Sequence, residues 1–138
     1  MTQVKEIMRH DKFVIAPTDT LTRAAEKMKE HEIGVVIVAD GERLVGMLTD
    51  RDIVVRGLAK GRDPNTTKAE EVMSSPVIHC IEDDSTDGIA RRMAAERVSR
   101  LPVLDHHLKL RGLVSVRDLC VFDNAKGGEV IAKMRVDK

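Results

Sequence analysis

Two seven-residue stretches carry the residue types that could handle a small charged ligand. Gly46-Met47-Leu48-Thr49-Asp50-Arg51-Asp52 is answered by Gly112-Leu113-Val114-Ser115-Val116-Arg117-Asp118. In each, a hydroxyl stands at the expected junction of a strand and a helix, followed by an arginine and then an aspartate. A helix start offers unpaired backbone N–H groups and a partial positive charge, and phosphate fits there. The hydroxyl of Thr49 or Ser115 and the guanidinium of Arg51 or Arg117 can donate to phosphate, while the carboxylate of Asp52 or Asp118 can accept both hydroxyls of a ribose. The set matches a ribose-phosphate better than it matches any reaction centre. The same spacing has a purely structural use. Ser/Thr-x-x-Asp is the shape of a capping box, in which hydroxyl and carboxylate satisfy backbone donors reciprocally. One residue can serve both purposes, so the spacing leaves both open.

Other chemistry-bearing residues give less. His10, His31, His79, His106 and His107 show no zinc spacing, so no metal site is expected. Cys80 has His79 beside it, but neighbours on a strand point to opposite faces, which argues against an activated nucleophile. Cys80 and Cys120 show no pairing pattern and read as two reduced thiols in a cytoplasmic compartment. Arg91-Arg92 reads as a solvated helix face that could reach a ligand's phosphates.

The elements that must position the two motifs come as a repeat. Met8 and Met73 lie 65 residues apart, as do Met28 and Met93, and the same shift pairs Asp19 with Asp84, Thr20 with Ser85, and Val38 with Val103. One extra residue in the second hairpin then aligns Gly46 with Gly112, Thr49 with Ser115, and Asp52 with Asp118. Each copy predicts the same order. A short strand (13–16; 77–81) precedes a helix with an apolar stripe, carried by Leu21, Ala24, Ala25 and Met28 in the first copy and by Ile89, Met93 and Ala94 in the second. An apolar strand (33–39; 100–104) follows, then a hairpin turn at Asp40-Gly41 or Asp105-His106-His107. A return strand (44–48; 110–114) leads into a second helix, from Asp50 to Leu58 or from Val116. Thr67-Lys68-Ala69-Glu70 reads as a capping box opening a short helix toward Met73. Gly127-Gly128 is expected to break the tail, with a helix over 129–134. The division is repeat 1 at 1–60, linker 61–68, repeat 2 at 69–122 and a C-terminal tail at 123–138. A lone repeat of this size buries too little surface to be robust. The copies are therefore expected to share a core face against face, leaving clefts between them where small ligands bind.

Composition narrows the function classes. The 138 residues are 42% apolar and 33% charged, with 23 basic and 23 acidic side chains. A folded, soluble domain fits these figures. Zero formal charge argues against nonspecific binding to nucleic acid or to a membrane surface. No apolar run is long enough to cross a bilayer, and no signal segment is seen at the N-terminus. With two Phe and no Trp or Tyr, base stacking on aromatic platforms is not expected.

The chain resembles a tandem pair of cystathionine beta-synthase-type (CBS) domains. The resemblance rests on Ile7-Met8 and Val72-Met73, on the two Gly-x-x-Thr/Ser-x-x-Asp motifs, and on Arg100-Leu101-Pro102-Val103-Leu104-Asp105. It covers roughly residues 2–122. Leu48 to Val54, with Gly61 to Thr66, is further similar to small stand-alone CBS-pair proteins, including the hypoxic-response type. The resemblance implies an α+β fold of two β-α-β-β-α repeats packed sheet to sheet as a pseudo-twofold pair, forming a homodimer. It also implies a non-catalytic regulatory module that binds an adenosine-containing ligand such as AMP, ADP, ATP, NAD or S-adenosylmethionine, with no other cofactor and an unknown protein partner. By the family pattern Asp52 and Asp118 hold ribose, Thr49 and Ser115 approach phosphate, and Arg51 and Arg117 assist. Backbone at Gly34-Val35 and at Ser99-Arg100-Leu101 reads the adenine edge. Pro102 has Ile37 as its counterpart, so the second copy fits the pattern better. The alternative is a protein-interaction or scaffold dimer without a physiological nucleotide.

Overall fold

The apolar run of the first repeat forms strand β2 (Val35–Asp40), buried at every position but its last. That burial is the reason the run is continuous instead of alternating. In the computed structural model, which describes residues 2–75 and 77–136, β2 is the centre of a three-stranded sheet. Strand β1 (Val14–Ile15) pairs with it in parallel, and β3 (Arg43–Thr49) pairs antiparallel through the Asp40-Gly41 turn. Gly41 takes φ +64°, as such a turn requires. Helix α1 (Leu21–His31) crosses from β1 to β2, capped by Thr20, whose hydroxyl accepts from the Arg23 N–H. Its apolar stripe packs Leu21, Ala24 and Met28 against Ile15, Val36, Val38 and Leu48. The second repeat builds the same sheet from β4 (Cys80–Ile81), β5 (Arg100–Leu104) and β6 (Leu110–Ser115), with α3 (Thr86–Glu96) as crossover. Ser85 caps α3 by accepting from the Gly88 N–H.

The chain divides into two compact units, Lys12–Val77 and Met1–Asp11 with Ile78–Lys138. The N-terminal segment through Asp11 therefore belongs to the unit of the second repeat. Its short 3₁₀ turn (Val4–Glu6) has a counterpart at Ala69–Glu71, 65 residues on. The two turns are held by matching bonds. Val4 N–H donates to Asp84 O as Ala69 N–H does to Asp19 O, and Arg9 N–H donates to Leu113 O as Ser74 N–H does to Met47 O. Val4 and Met8 enter one core, and Ala69, Val72 and Met73 the other. The capping pair expected at Thr67 lies one residue later, where Glu71 accepts from the Lys68 N–H at 2.7 Å. Thr67 is instead buried and donates its N–H to Asp63 O.

The helices after the motifs differ. In the first repeat α2 (Asp50–Asp52) gives one α turn, then widens into a π turn over Ile53–Gly57 and tightens to 3₁₀ at Leu58–Lys60. Gly57 permits the close seat against Leu21, since a Cβ there would stand 2.9 Å from the Leu21 Cδ1. In the second repeat α4 (Val116–Phe122) is regular and α5 (Asn124–Val136) follows. The expected break at Gly127-Gly128 is absent, because Gly127 packs directly on Cys120, where a Cβ would meet the Cys120 backbone at 2.9 Å. Gly127 lets α5 approach α4, where Val130 is buried, whereas a Cβ at Gly128 would meet open space. The last two residues of the expected tail lie outside the described residues.

Candidate functional site

Each motif sits where a return strand becomes a helix, and the hairpin register brings the expected backbone to it. Val35 lies opposite Thr49 and Arg100 opposite Ser115. The neighbouring carbonyls close the junctions: Asp50 N–H donates to Gly34 O at 3.0 Å, and Val116 N–H to Ser99 O at 2.9 Å. The structure thus gathers Gly34, Val35, Thr49, Arg51 and Asp52 in one unit. It gathers Ser99, Arg100, Leu101, Pro102, Ser115, Arg117 and Asp118 in the other. Val35 and Pro102 are buried, and Leu101 is wholly so, which leaves its backbone no exposed surface in this chain. The Pro102 carbonyl is approached by the Cys80 thiol at 3.7 Å.

Both motifs form complete capping boxes. Thr49 Oγ1 accepts from the Asp52 N–H at 3.1 Å, and Asp52 Oδ2 accepts from the Thr49 N–H at 2.9 Å. Ser115 Oγ accepts from the Asp118 N–H at 3.2 Å, and Asp118 Oδ2 accepts from the Ser115 N–H at 2.8 Å. The Ser115 hydroxyl also donates to that Oδ2 at 3.0 Å. In both repeats the cap engages one carboxylate oxygen. The other, Oδ1, faces an arginine 3.9 Å away: Arg56 for Asp52 and Arg9 for Asp118. The aspartates keep 16% and 15% of their side-chain surface exposed. Arg51 and Arg117 are exposed and make no ion pair among the described residues.

The motif glycines have a different task from the one their duplication suggests. A Cβ at Gly112 would collide with the Arg9 carbonyl oxygen, and one at Gly46 would collide with the Met73 sulfur and meet the Ser74 carbonyl at 2.9 Å. They admit the exchanged segments, not a ligand. Sequence reasoning missed Arg9 and Arg56. Arg56 was findable as an i+4 partner of Asp52. Arg9 arrives only through the exchange, for which the repeated Ile7-Met8 and Val72-Met73 were the available signal.

Among the described residues no three or more His, Cys, Asp or Glu side chains cluster to hold a metal ion. Burial pushes the Cys80 thiol up to about 12, with Asp84 adding to the shift, so the thiol stays protonated and unreactive at neutral pH. Arg92 donates to the His79 carbonyl, which anchors half of the Arg91-Arg92 pair. No helix among the described residues is long and apolar enough to cross a membrane.

A β-α-β-β-α unit occurring twice, each with a capped carboxylate at its strand-to-helix junction, defines a duplicated small-module protein. The chain belongs to the CBS domain family, whose model matches residues 4–58 and 69–124. It is 40% identical over 120 residues to Hypoxic response protein 1 of Mycobacterium tuberculosis, covering 86% of this chain and 83% of that one. A protein of Methanopyrus kandleri is 37% identical over 117 residues, and the match spans 84% of this chain and 60% of the relative's length. Among solved structures, Hypoxic Response Protein I with two coordinated zinc ions aligns with TM-score 0.80 at 38% identity, covering 87% of this chain and 98% of that one. The CBS domain pair of protein MJ0100, in complex with 5′-methylthioadenosine and S-adenosyl-L-methionine, aligns with TM-score 0.78 at 28% identity, covering 91% and 98%.

Proposed function

We propose that the chain is a non-catalytic cytoplasmic sensor that binds an adenosine-containing ligand (AMP, ADP, ATP or NAD) at the two motifs. It works as a homodimer, and occupancy biases its affinity for a protein partner. Such a shift requires different ligand affinities in the two states. One observation carries the reading. Each motif aspartate uses Oδ2 for its cap and leaves Oδ1 outside it. Capping and ribose binding therefore use different oxygens of one carboxylate, so formation of the caps does not exclude a ligand. The adenosine compounds bound by the related MJ0100 pair support the ligand class.

The test is titration of AMP, ATP and NAD by calorimetry. Because the chain has no Trp or Tyr, bound adenine will dominate the near-ultraviolet spectrum of the purified protein. Asp118→Ala is expected to weaken binding by about 1.5–3 kcal/mol, the worth of a hydrogen bond to a charged group. Circular dichroism must show α4 intact in that variant. Failure of every adenosine compound to bind would leave the scaffold reading in its place.

A further inference from the structure

The two crossover helices carry corresponding outer faces, and α5 covers one of them. On α3, Ala90 is buried in a core that Val130 of α5 completes. There α5 brings Glu129 and Lys133 to a groove shared with Asp87, Arg91 and Ala94. On α1 the counterpart of Ala90 is Ala25, 65 residues earlier, and it is exposed. Ala25 lines an apolar groove of about 350 Å³ with Leu21, Ile53, Leu58 and Pro64. Leu58 is 51% exposed, and Val54, one turn before it, is 54% exposed. Large apolar side chains left in water beside an apolar groove mark a surface that associates.

The rim of the groove favours one occupant. Glu26 and Lys29 border it, both exposed and neither in an ion pair among the described residues. An acid and a base three residues apart on one helix are self-complementary. When two copies of α1 meet about a twofold axis, each Glu26 faces the partner's Lys29, so the pair forms twice. Ala25 ends at its Cβ, which lets the two helices approach closely, and the exposed Leu58 of each copy then lies against apolar surface. On α3 the same two places hold Arg91 and Ala94. That face lacks the self-complementary pair as well as being covered.

We propose that the homodimer forms through the α1 face of the first repeat alone, and that α5 closes the equivalent face of the second repeat to self-association. A single isologous face closes at two copies. This inference rests on the homodimer in the reading above and gives it an interface, whichever ligand binds.

Sedimentation of the full chain tests it. The wild type should run as a dimer. Ala25→Glu places a carboxylate in the groove at an exposed helical position whose propensity tolerates Glu, and it should run as a monomer with an unchanged circular dichroism spectrum. Glu26→Lys and Lys29→Glu each turn two attractive contacts into two repulsive ones, so each should raise the dimer dissociation constant about tenfold or more. Both reversals together restore opposite charges across the axis and should return it to within about threefold of wild type. That rescue carries the test if Ala25→Glu does not fold. Ala95→Glu, at an exposed position on the α3 face, should leave the dimer intact. A dimer indifferent to Ala25→Glu, or reversals without rescue, would overturn the interface while leaving a homodimer. So would dissociation by Ala95→Glu, or a wild-type species larger than two copies. A monomeric wild type would overturn the interface and the homodimer together, while the adenosine titrations would still decide ligand binding separately.

Discussion

The two repeats share their frame and differ in what fills it. Each exchanged segment makes the same backbone bonds at the same offset, each crossover helix is capped by a hydroxyl, and each motif closes the same reciprocal box. The differences fall on single residues. Ile37 donates its N–H to Phe13 O and begins β1 pairing at Val14, whereas Pro102 has no N–H, so β4 pairing begins at Cys80, one step later. Ile15 in the first core becomes Cys80 in the second, and Arg56 beside Asp52 becomes Phe122. The comparison teaches that duplication preserves most of the backbone bonding, while the side chains standing just outside it diverge.

The largest test of the shared frame concerns the motif glycines. Gly112→Ala forces a methyl group into the Arg9 carbonyl, which the reciprocal Arg9–Leu113 bonds hold rigidly. Gly46→Ala meets the Met73 thioether, which can swing aside, leaving the milder clash with Ser74. Overpacking typically costs about 1–3 kcal/mol, so Gly112→Ala should lie near the top of that range and Gly46→Ala near the bottom. Urea denaturation measures both. Equal losses would mean that the two exchanged segments are seated alike, and the asymmetry would be gone.

Next in size is an alkaline sensitivity confined to the second unit. The Cys80 thiol is raised from 9.0 to about 12 by burial, then by Asp84. Ionisation is therefore easier in the unfolded chain. The contribution is complete below pH 9 and lost progressively as the pH climbs toward 12, at about 1.4 kcal/mol per pH unit at most. Comparing wild type with Cys80→Val by denaturation between pH 8 and about 10.5 isolates the effect from lysine titration, with about 2 kcal/mol expected at the upper end. Parallel slopes for the two proteins would refute the burial argument. The first unit, with Ile15 at this place, has no corresponding group.

Much of this was legible in the sequence because repetition doubles every signal. The strand β5 was read with both its ends, Asp40-Gly41 gave the turn, and the motif spacing led to both boxes. The misses arise where packing, and not the local pattern, sets a residue's partner. Gly127 looks like a breaker until Cys120 is found beneath it. Gly46 and Gly112 recur in the motifs without a visible reason until Met73 and Arg9 are found against them. Thr67 had the right letters for a cap, but Asp63 claimed its N–H, moving the turn one residue on. The bond from Arg51 to Asp50 could not be read from spacing, since it depends on a carboxylate turning back over its own junction.

The smallest effect tests the caps themselves. Losing a hydroxyl cap costs about 0.5–2 kcal/mol. Thr49 and Ser115 each accept one N–H, but only the Ser115 hydroxyl also donates to its aspartate, at 3.0 Å. Ser115→Ala removes two bonds and leaves Asp118 Oδ2 one donor poorer. Thr49→Ala removes one, and no described residue accepts from the Thr49 hydroxyl. The serine variant should therefore lose about 1 kcal/mol more than the threonine variant, the typical net worth of one hydrogen bond. If the free Thr49 hydroxyl is the one that touches ligand, Thr49→Ala should instead weaken adenosine-ligand binding more than Ser115→Ala does. Unfolding and titration on the same two variants would then rank them in opposite orders. The same order in both assays would mean that the hydroxyls serve the caps alone and that Asp52 and Asp118 carry the ligand without them.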